Sequence, residues 1–198
     1  MQTGSIKPLV FVYRLFPIFG LGLVSTLGMS SFLGIENAKA AERTLVRVLV
    51  FQGKEAFFRS GGSKPLFVRS PGKSRQKMQK LKIANRKGNV ELFANGNLEN
   101  SYAVYKPKKF RITSNDSRGI WLGNRRYRGS LIAVVFKDAI QVINHVEIDK
   151  YLTSVVASEM PKNWPIEALK AQAVASRTYA LRQLKKNSIY DIQSNEAS

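Results

Sequence analysis

The residue with the most chemical potential is Glu159, in the stretch Ser158-Glu159-Met160-Pro161. Upstream, Ile148, Tyr151, Leu152, Val155 and Val156 recur at i, i+3, i+4, i+7 and i+8, the spacing of one helix face. Continuing that stripe to i+11 places Glu159 inside the apolar arc. It also falls in the last turn, because the residue before a proline tends to leave the helical region. Partial burial and the negative end of the helix dipole both disfavour a carboxylate anion there. A carboxyl so placed suits general-acid work. From the pattern alone, an exposed glutamate beyond a frayed last turn is the more ordinary reading.

A second helix is expected to begin at Asn163-Trp164-Pro165, where proline fits the first turn, and to run to about Lys186. Ile166, Leu169, Ala173, Val174, Ala180, Leu181 and Leu184 share one broad face. Ala168, Ala171 and Ala175 line much of the other side, which predicts a largely interior helix. Lys170 and Arg177, two turns apart, both fall in the apolar arc. A charge on such a face needs a partner, unless it snorkels outward. Glu159 is the nearest acid in sequence that also points inward. Cations beside it would favour its anion, opposing the effect of burial.

The elements ahead of these helices read as short strands. Leu45–Phe51, Leu66–Arg69, Met78–Ile83, Val90–Phe93, Phe110–Thr113, Leu131–Phe136 and Ile140–Ile143 are apolar, β-branched or alternating. Turn signals separate them, among them Pro71-Gly72, Asn95-Gly96-Asn97 and Asn115-Asp116. The spacing predicts a small antiparallel sheet, sandwich or barrel. The fold class is therefore α+β, a small antiparallel β domain followed by two packed helices. A basic run, Lys73, Arg75, Lys77, Lys80, Lys82, Arg86 and Lys87, contains no acid. It reads either as a solvated strand edge or as a patch for an anionic polymer. Aromatics are not interleaved in it, which argues against a stacking platform for single-stranded nucleic acid. His145 is the single histidine, and the chain has no cysteine. With no second soft ligand, a metal site is not expected, and His145 reads as structural. No cofactor is implied.

The formal charge is +19, with 32 Lys and Arg against 13 Asp and Glu. A charge this large points to a polyanionic partner. The N-terminus narrows the choice. Lys7 and Arg14 precede an apolar run from Leu15 to Ile35, and Ala38-Lys39-Ala40 follows. These are the three parts of a secretory signal peptide, with cleavage expected after Ala40. Residues 1–40 are thus expected to be an address, in membrane contact only during export. The destination would be the periplasm or cell wall, where anionic polymers and not nucleic acid are the natural partners. Residues 41–125 form the basic β-rich region, and residues 126–198 a further domain.

The latter carries a longer signature. Tyr151-Leu152, Val155-Val156, Ser158-Glu159-Met160-Pro161, Trp164-Pro165, Glu167 to Ala175 and Arg177-Thr178-Tyr179-Ala180 resemble the stage II sporulation protein D/LytB (amidase enhancer) family. Tyr127-Arg128-Gly129-Ser130-Leu131 and Val142-Ile143-Asn144 are similar to its lead-in strands. The resemblance implies a lytic transglycosylase acting on peptidoglycan glycan strands, with Glu159 as the catalytic acid. Arg177, Lys170, Gln172 and Ser158 would line the site. Arg177 would orient Glu159 or bind an N-acetyl or lactyl group. The family name also implies an alternative, a non-catalytic peptidoglycan-binding enhancer of a cell-wall amidase. Family members continue beyond the equivalent of Ser198, so the resemblance implies the N-terminal portion of such a domain. That portion would leave an apolar helix face uncovered.

Overall fold

The computed structural model describes residues 44–194, except Lys87, Pro107 and Lys162, with Tyr102 described by its backbone alone. The expected signal peptide lies outside these residues. The described residues fall in one compact unit. Twelve strands lead: β1 (Leu45–Gly53), β2 (Glu55–Arg59), β3 (Leu66–Arg69), β4 (Gln76–Met78), β5 (Lys80–Arg86), β6 (Asn89–Ala94), β7 (Asn97–Ala103), β8 (Lys108–Ser114), β9 (Ile120–Leu122), β10 (Arg125–Tyr127), β11 (Ser130–Val135) and β12 (Ile140–Glu147). Then come α1 (Ile148–Glu159), α2 (Ile166–Arg182) and a short β13 (Ile192–Gln193). The α+β class holds.

The strands form two sheets. The larger has seven strands in the order β13-β1-β12-β11-β8-β3-β4, and the smaller six in the order β10-β9-β2-β5-β6-β7. The pairings are antiparallel except β13 on β1, which is parallel. Side chains alternate across each strand, so β6 and β2 each bury every second residue. The buried faces of both sheets meet in one core that includes Phe58, Ile83, Phe110, Ile112, Leu131 and Ile140. Central strand β11 is buried at five successive positions. Its other face contributes Ile132 and Val134 to a second cluster with Leu49 and Ile143, over which Phe136 and Tyr190 lie. Strands on both sides of residue 125 share the larger sheet and the main core.

Turn chemistry explains several connections. Asn95 (φ 52) and Gly96 (φ 99) both take positive φ, the two-residue hairpin geometry that matches strand twist. Gly129 has φ +87, and a Cβ there would lie 2.3 Å from the His145 carbonyl oxygen. Only glycine lets the chain enter β11 so close to β12.

Two expectations need correction. The Met78–Ile83 stretch is two strands: β4 ends at Met78 on the larger sheet, and β5 starts at Lys80 on the smaller. The alternation slips by one there, with Gln79 and Lys80 both exposed between buried Met78 and buried Leu81, and that slip marks the change of sheet. Helix α2 is not interior. It buries only Ala180 fully, while Ile166, Val174, Tyr179, Leu181 and Leu184 are exposed. Helix α1 is tied in better, burying Ile148 and Leu152 against the main core. The second helix rests on the first and, among the described residues, nothing covers its remaining apolar surface.

Candidate functional site

Helix α1 continues directly from β12, so the end of that strand sets the position of everything on the helix. Its N-terminus is tied down where the Ile148 N–H donates to the Thr44 carbonyl at 2.9 Å. Glu159 is its last residue and is half-buried. The next backbone N–H, of Met160, closes the helix on the Val156 carbonyl. Among the described residues, no hydrogen bond or ion pair reaches the Glu159 carboxylate.

The other sequence-predicted residues are spread around it. Ser158 is exposed, and its hydroxyl donates back to the Val155 carbonyl at 2.9 Å. Lys170 is exposed and pairs with Glu167, one turn earlier, at 2.8 Å. Gln172 donates to the Ser176 hydroxyl at 3.4 Å. Arg177 crosses to α1 and binds Asp149 at 2.6 Å. Lys170 and Arg177 therefore find acids other than Glu159. Arg177 joins the two helices at the far end of α1 from Glu159. Asp149 went unnoticed in the sequence because it lies in the first turn of α1, where an acid is ordinary helix chemistry.

Two clefts run along α1 from its first turn to its last. On one side an apolar groove of about 540 Å³ runs between the helices, lined by Leu152, Val156, Met160, Leu169 and Ala173, with Asp149 and Arg177. On the other a basic cleft of about 590 Å³ is lined by Arg118, Arg125, Arg126, Arg128 and Lys150, together with Tyr151 and Ser158. Ala157 and Thr153 line both. Glu159 lines neither cleft; its chain neighbours do, Ser158 the basic cleft and Met160 the groove. The β9–β10 hairpin supplies two of the arginines. Trp121 props one of them, Arg126, which lies over its ring at 4.6 Å, while Arg59 of β2 lies over the same ring at 4.2 Å, a cation–π arrangement. The Tyr151 phenol is pushed up by burial first, then by Tyr179 and by the charge of Glu159. It therefore remains a protonated donor through neutral pH.

Two buried acids hold the surroundings in place. Burial pushes Asp191 up, but hydrogen bonds from Arg47 and from the Lys185 and Arg47 backbones outweigh it, so its carboxyl is held below the usual range. Arg47 on β1 binds Asp191 at 2.5 Å and also donates to the Ser188 and Lys185 carbonyls. This clamp fixes the segment that returns from α2 to the larger sheet. Near the basic cleft, Arg118 hydrogen-bonds Asp116 through side chain and backbone and holds that carboxyl down at about 2. The Asn115-Asp116 pair read only as a turn in the sequence. Of the basic run, Lys82 and Arg86 are paired with Glu55 and Glu91. Among the described residues, no group of three or more His, Asp or Glu side chains converges as a metal site.

The β unit thus feeds a helix pair whose first member ends in Glu159, with a basic cleft and an apolar groove running along it. Residues 136–198 match the model of the SpoIID family, stage II sporulation protein. Over 54 residues the chain is 44% identical to stage II sporulation protein D of Bacillus subtilis and 41% identical to that of Bacillus amyloliquefaciens, covering 27% of this chain and 16% of each relative. Over 88 residues it is 41% identical to an uncharacterised protein of Brachyspira hyodysenteriae, 44% of this chain and 23% of that one. No solved structure matches. Through this segment the chain is similar to the SpoIID family. It spans less than a quarter of the length of these relatives.

Proposed function

We propose that the protein acts on the cell wall, as its likeness to the SpoIID family suggests, and that it cleaves peptidoglycan glycan strands as a lytic transglycosylase with Glu159 as the acid and base. One observation supports this most: Glu159 is half-buried at a helix end whose neighbouring residues line two clefts, and among the described residues its carboxyl has no competing ion pair. Most glycosidases need two carboxyls, one acid and one nucleophile or base. A lytic enzyme uses the sugar's own 6-hydroxyl. The protonated Glu159 carboxyl donates to the glycosidic oxygen as that bond to the anomeric carbon breaks. The 6-hydroxyl oxygen bonds to the same carbon, and its proton returns to Glu159. The product carries a 1,6-anhydro ring, and no water enters. The tethered hydroxyl gains from proximity. The cations of the basic cleft suit carboxylates borne by the glycan, and Tyr151 offers a neutral donor.

The test is Glu159→Gln in the full chain, assayed for anhydro-muramyl ends released from denuded glycan strands. Loss of a general acid lowers the rate by about 10²- to 10⁴-fold. An unchanged yield removes the catalytic assignment and favours the enhancer reading instead. That reading requires salt-dependent sedimentation with purified peptidoglycan, indifferent to the same substitution.

A further inference from the structure

The outer face of the larger sheet, opposite the core that α1 joins, holds a separate cavity of about 410 Å³. Its floor is Ile132, Val134 and Ile143, and Arg69, Lys109, Arg111 and His145 also line it. Arg69 on β3 and Arg111 on β8 are register partners. Directly opposed residues on antiparallel strands have Cβ atoms about 5 Å apart, and like charges there destabilise the pair. Lys109 lies two residues along β8, hence on the same face. Among the described residues, no carboxylate pairs with Arg69, Lys109 or Arg111. The neighbouring Asp191 is already held by Arg47.

A second observation points the same way. Ser70 lines this cavity and is 3% exposed, yet its hydroxyl has no hydrogen-bond partner. A buried hydroxyl left unpaired is costly and calls for an explanation. The turn that carries it is stiff. The Lys73 N–H donates to the Ser70 carbonyl at 3.3 Å, and Gly72 takes φ +69 after Pro71, a type II turn. Opposed arginines, a nearby lysine and an orphan hydroxyl around an apolar floor form a built site for an anion with an organic body.

We propose that this cavity binds a phosphate monoester, with the phosphate between Arg69 and Arg111 and in reach of Lys109 and Ser70, and the organic group on Ile132, Val134 and Ile143. A carboxylate would balance one of three cations. A phosphate monoester carries a charge near −2 at neutral pH, with three strong acceptor oxygens. Arginine forks match those oxygens two at a time. The site is independent of the glycan-cleaving reading, because it uses neither Glu159 nor the clefts beside α1.

His145 reports on it, being the single histidine in the chain. Burial pushes its imidazole down, followed by Arg111 and Arg47; Asp191 opposes and Lys109 adds to the lowering. A dianion beside those cations shifts the imidazole midpoint upward. The experiment follows the His145 ring protons by NMR in the full chain, at constant ionic strength. Phenyl phosphate, inorganic phosphate, diphenyl phosphate and acetate are added in turn. A saturable response is expected, tightest for phenyl phosphate, with diphenyl phosphate and acetate weaker by roughly tenfold because they carry one charge. Arg69→Gln and Arg111→Gln each abolish it. Both side chains are exposed, and either change relieves a like-charge pair, so the fold is retained. Lys82→Gln, on the smaller sheet, leaves the response intact. An equal response to acetate, a non-saturable one, or full binding in Arg69→Gln overturns the proposal. Equal affinity for the diester overturns the monoester assignment.

Discussion

The two-sheet unit and the second helix solve the same problem to different degrees. In the sheets, Phe110, Ile112, Ile120, Leu131 and Ile140 are wholly buried. In α2, Val174 is 66% exposed and Ile166 62%, although both lie on its apolar face. The first region has its partner surface within the described residues, since each sheet covers the other. The second touches α1 and is clamped behind by Arg47 and Asp191, and its apolar surface is otherwise open. The candidate chemistry lies where these two regimes meet, at the end of a helix anchored in the core. Glu159 is therefore positioned by the well-packed region, through β12 and α1, while Arg177 and Gln172 ride on the looser one.

Substitutions of similar chemistry should then differ widely in effect. Phe110→Ala should cost about 3–5 kcal/mol, as expected for a large aromatic removed from a closed core. Val174→Ala should stay within about 0.5 kcal/mol, as for exposed sites. Urea unfolding of both variants measures the gap, and equal losses would erase the distinction. Asp191→Asn comes next. It leaves Arg47 without its charge partner, and breaking a largely buried pair costs about 3 kcal/mol or more. The loss should be local. Hydrogen exchange should quicken in α2 and across residues 185–194, while β8 and β11 keep their protection.

Much of the β unit was legible because alternation and turn residues are local signals. The cores of β1, β3, β6, β8, β11 and β12 all stand where the sequence places them. Strands β9, β10 and β13 were not legible, at two or three residues each. Such segments are too short for a period to show, and they exist because a neighbouring strand edge is available. Strand β2 was missed for another reason: Lys54 alone separates it from β1 while the chain changes sheets. At the candidate site, the helix and the place of Glu159 at its end were readable from the apolar stripe and Pro161. The partners were not. Helical periodicity put Lys170 and Arg177 on the apolar arc, but long side chains reach whatever acid is near. Those acids are Glu167 one turn away and Asp149 across the helix pair. The arginines of the basic cleft converge only through the fold.

Acid provides a smaller probe of the first region. Arg118 holds Asp116 at about 2, below its ordinary value of 3.8. A depressed carboxyl adds stability that is complete above its unfolded value and is lost as the pH falls through the folded one. The wild-type protein should therefore lose stability between about pH 4 and pH 2, and Asp116→Asn should flatten that part of the curve. Thermal melts across this window make the comparison. An unchanged slope would mean that Asp116 and Arg118 stay paired in the unfolded chain.

The smallest expected effect is at the link between the helices. The Arg177–Asp149 pair is short, at 2.6 Å, but both side chains are substantially exposed, 48% and 79%. Exposed pairs contribute about 0.2–1 kcal/mol and weaken with salt. Arg177→Gln and Asp149→Asn should each cost no more than that, and a double-mutant cycle should return a coupling of the same size. The contrast with activity is the informative part. If anhydro-muramyl release falls far more in Arg177→Gln than in Asp149→Asn at matched stability, Arg177 acts on the glycan and its bond to Asp149 is a resting arrangement. If both variants lower activity equally, the pair matters only because it holds α2 against α1, and the looser region contributes position to the site but no contact with substrate.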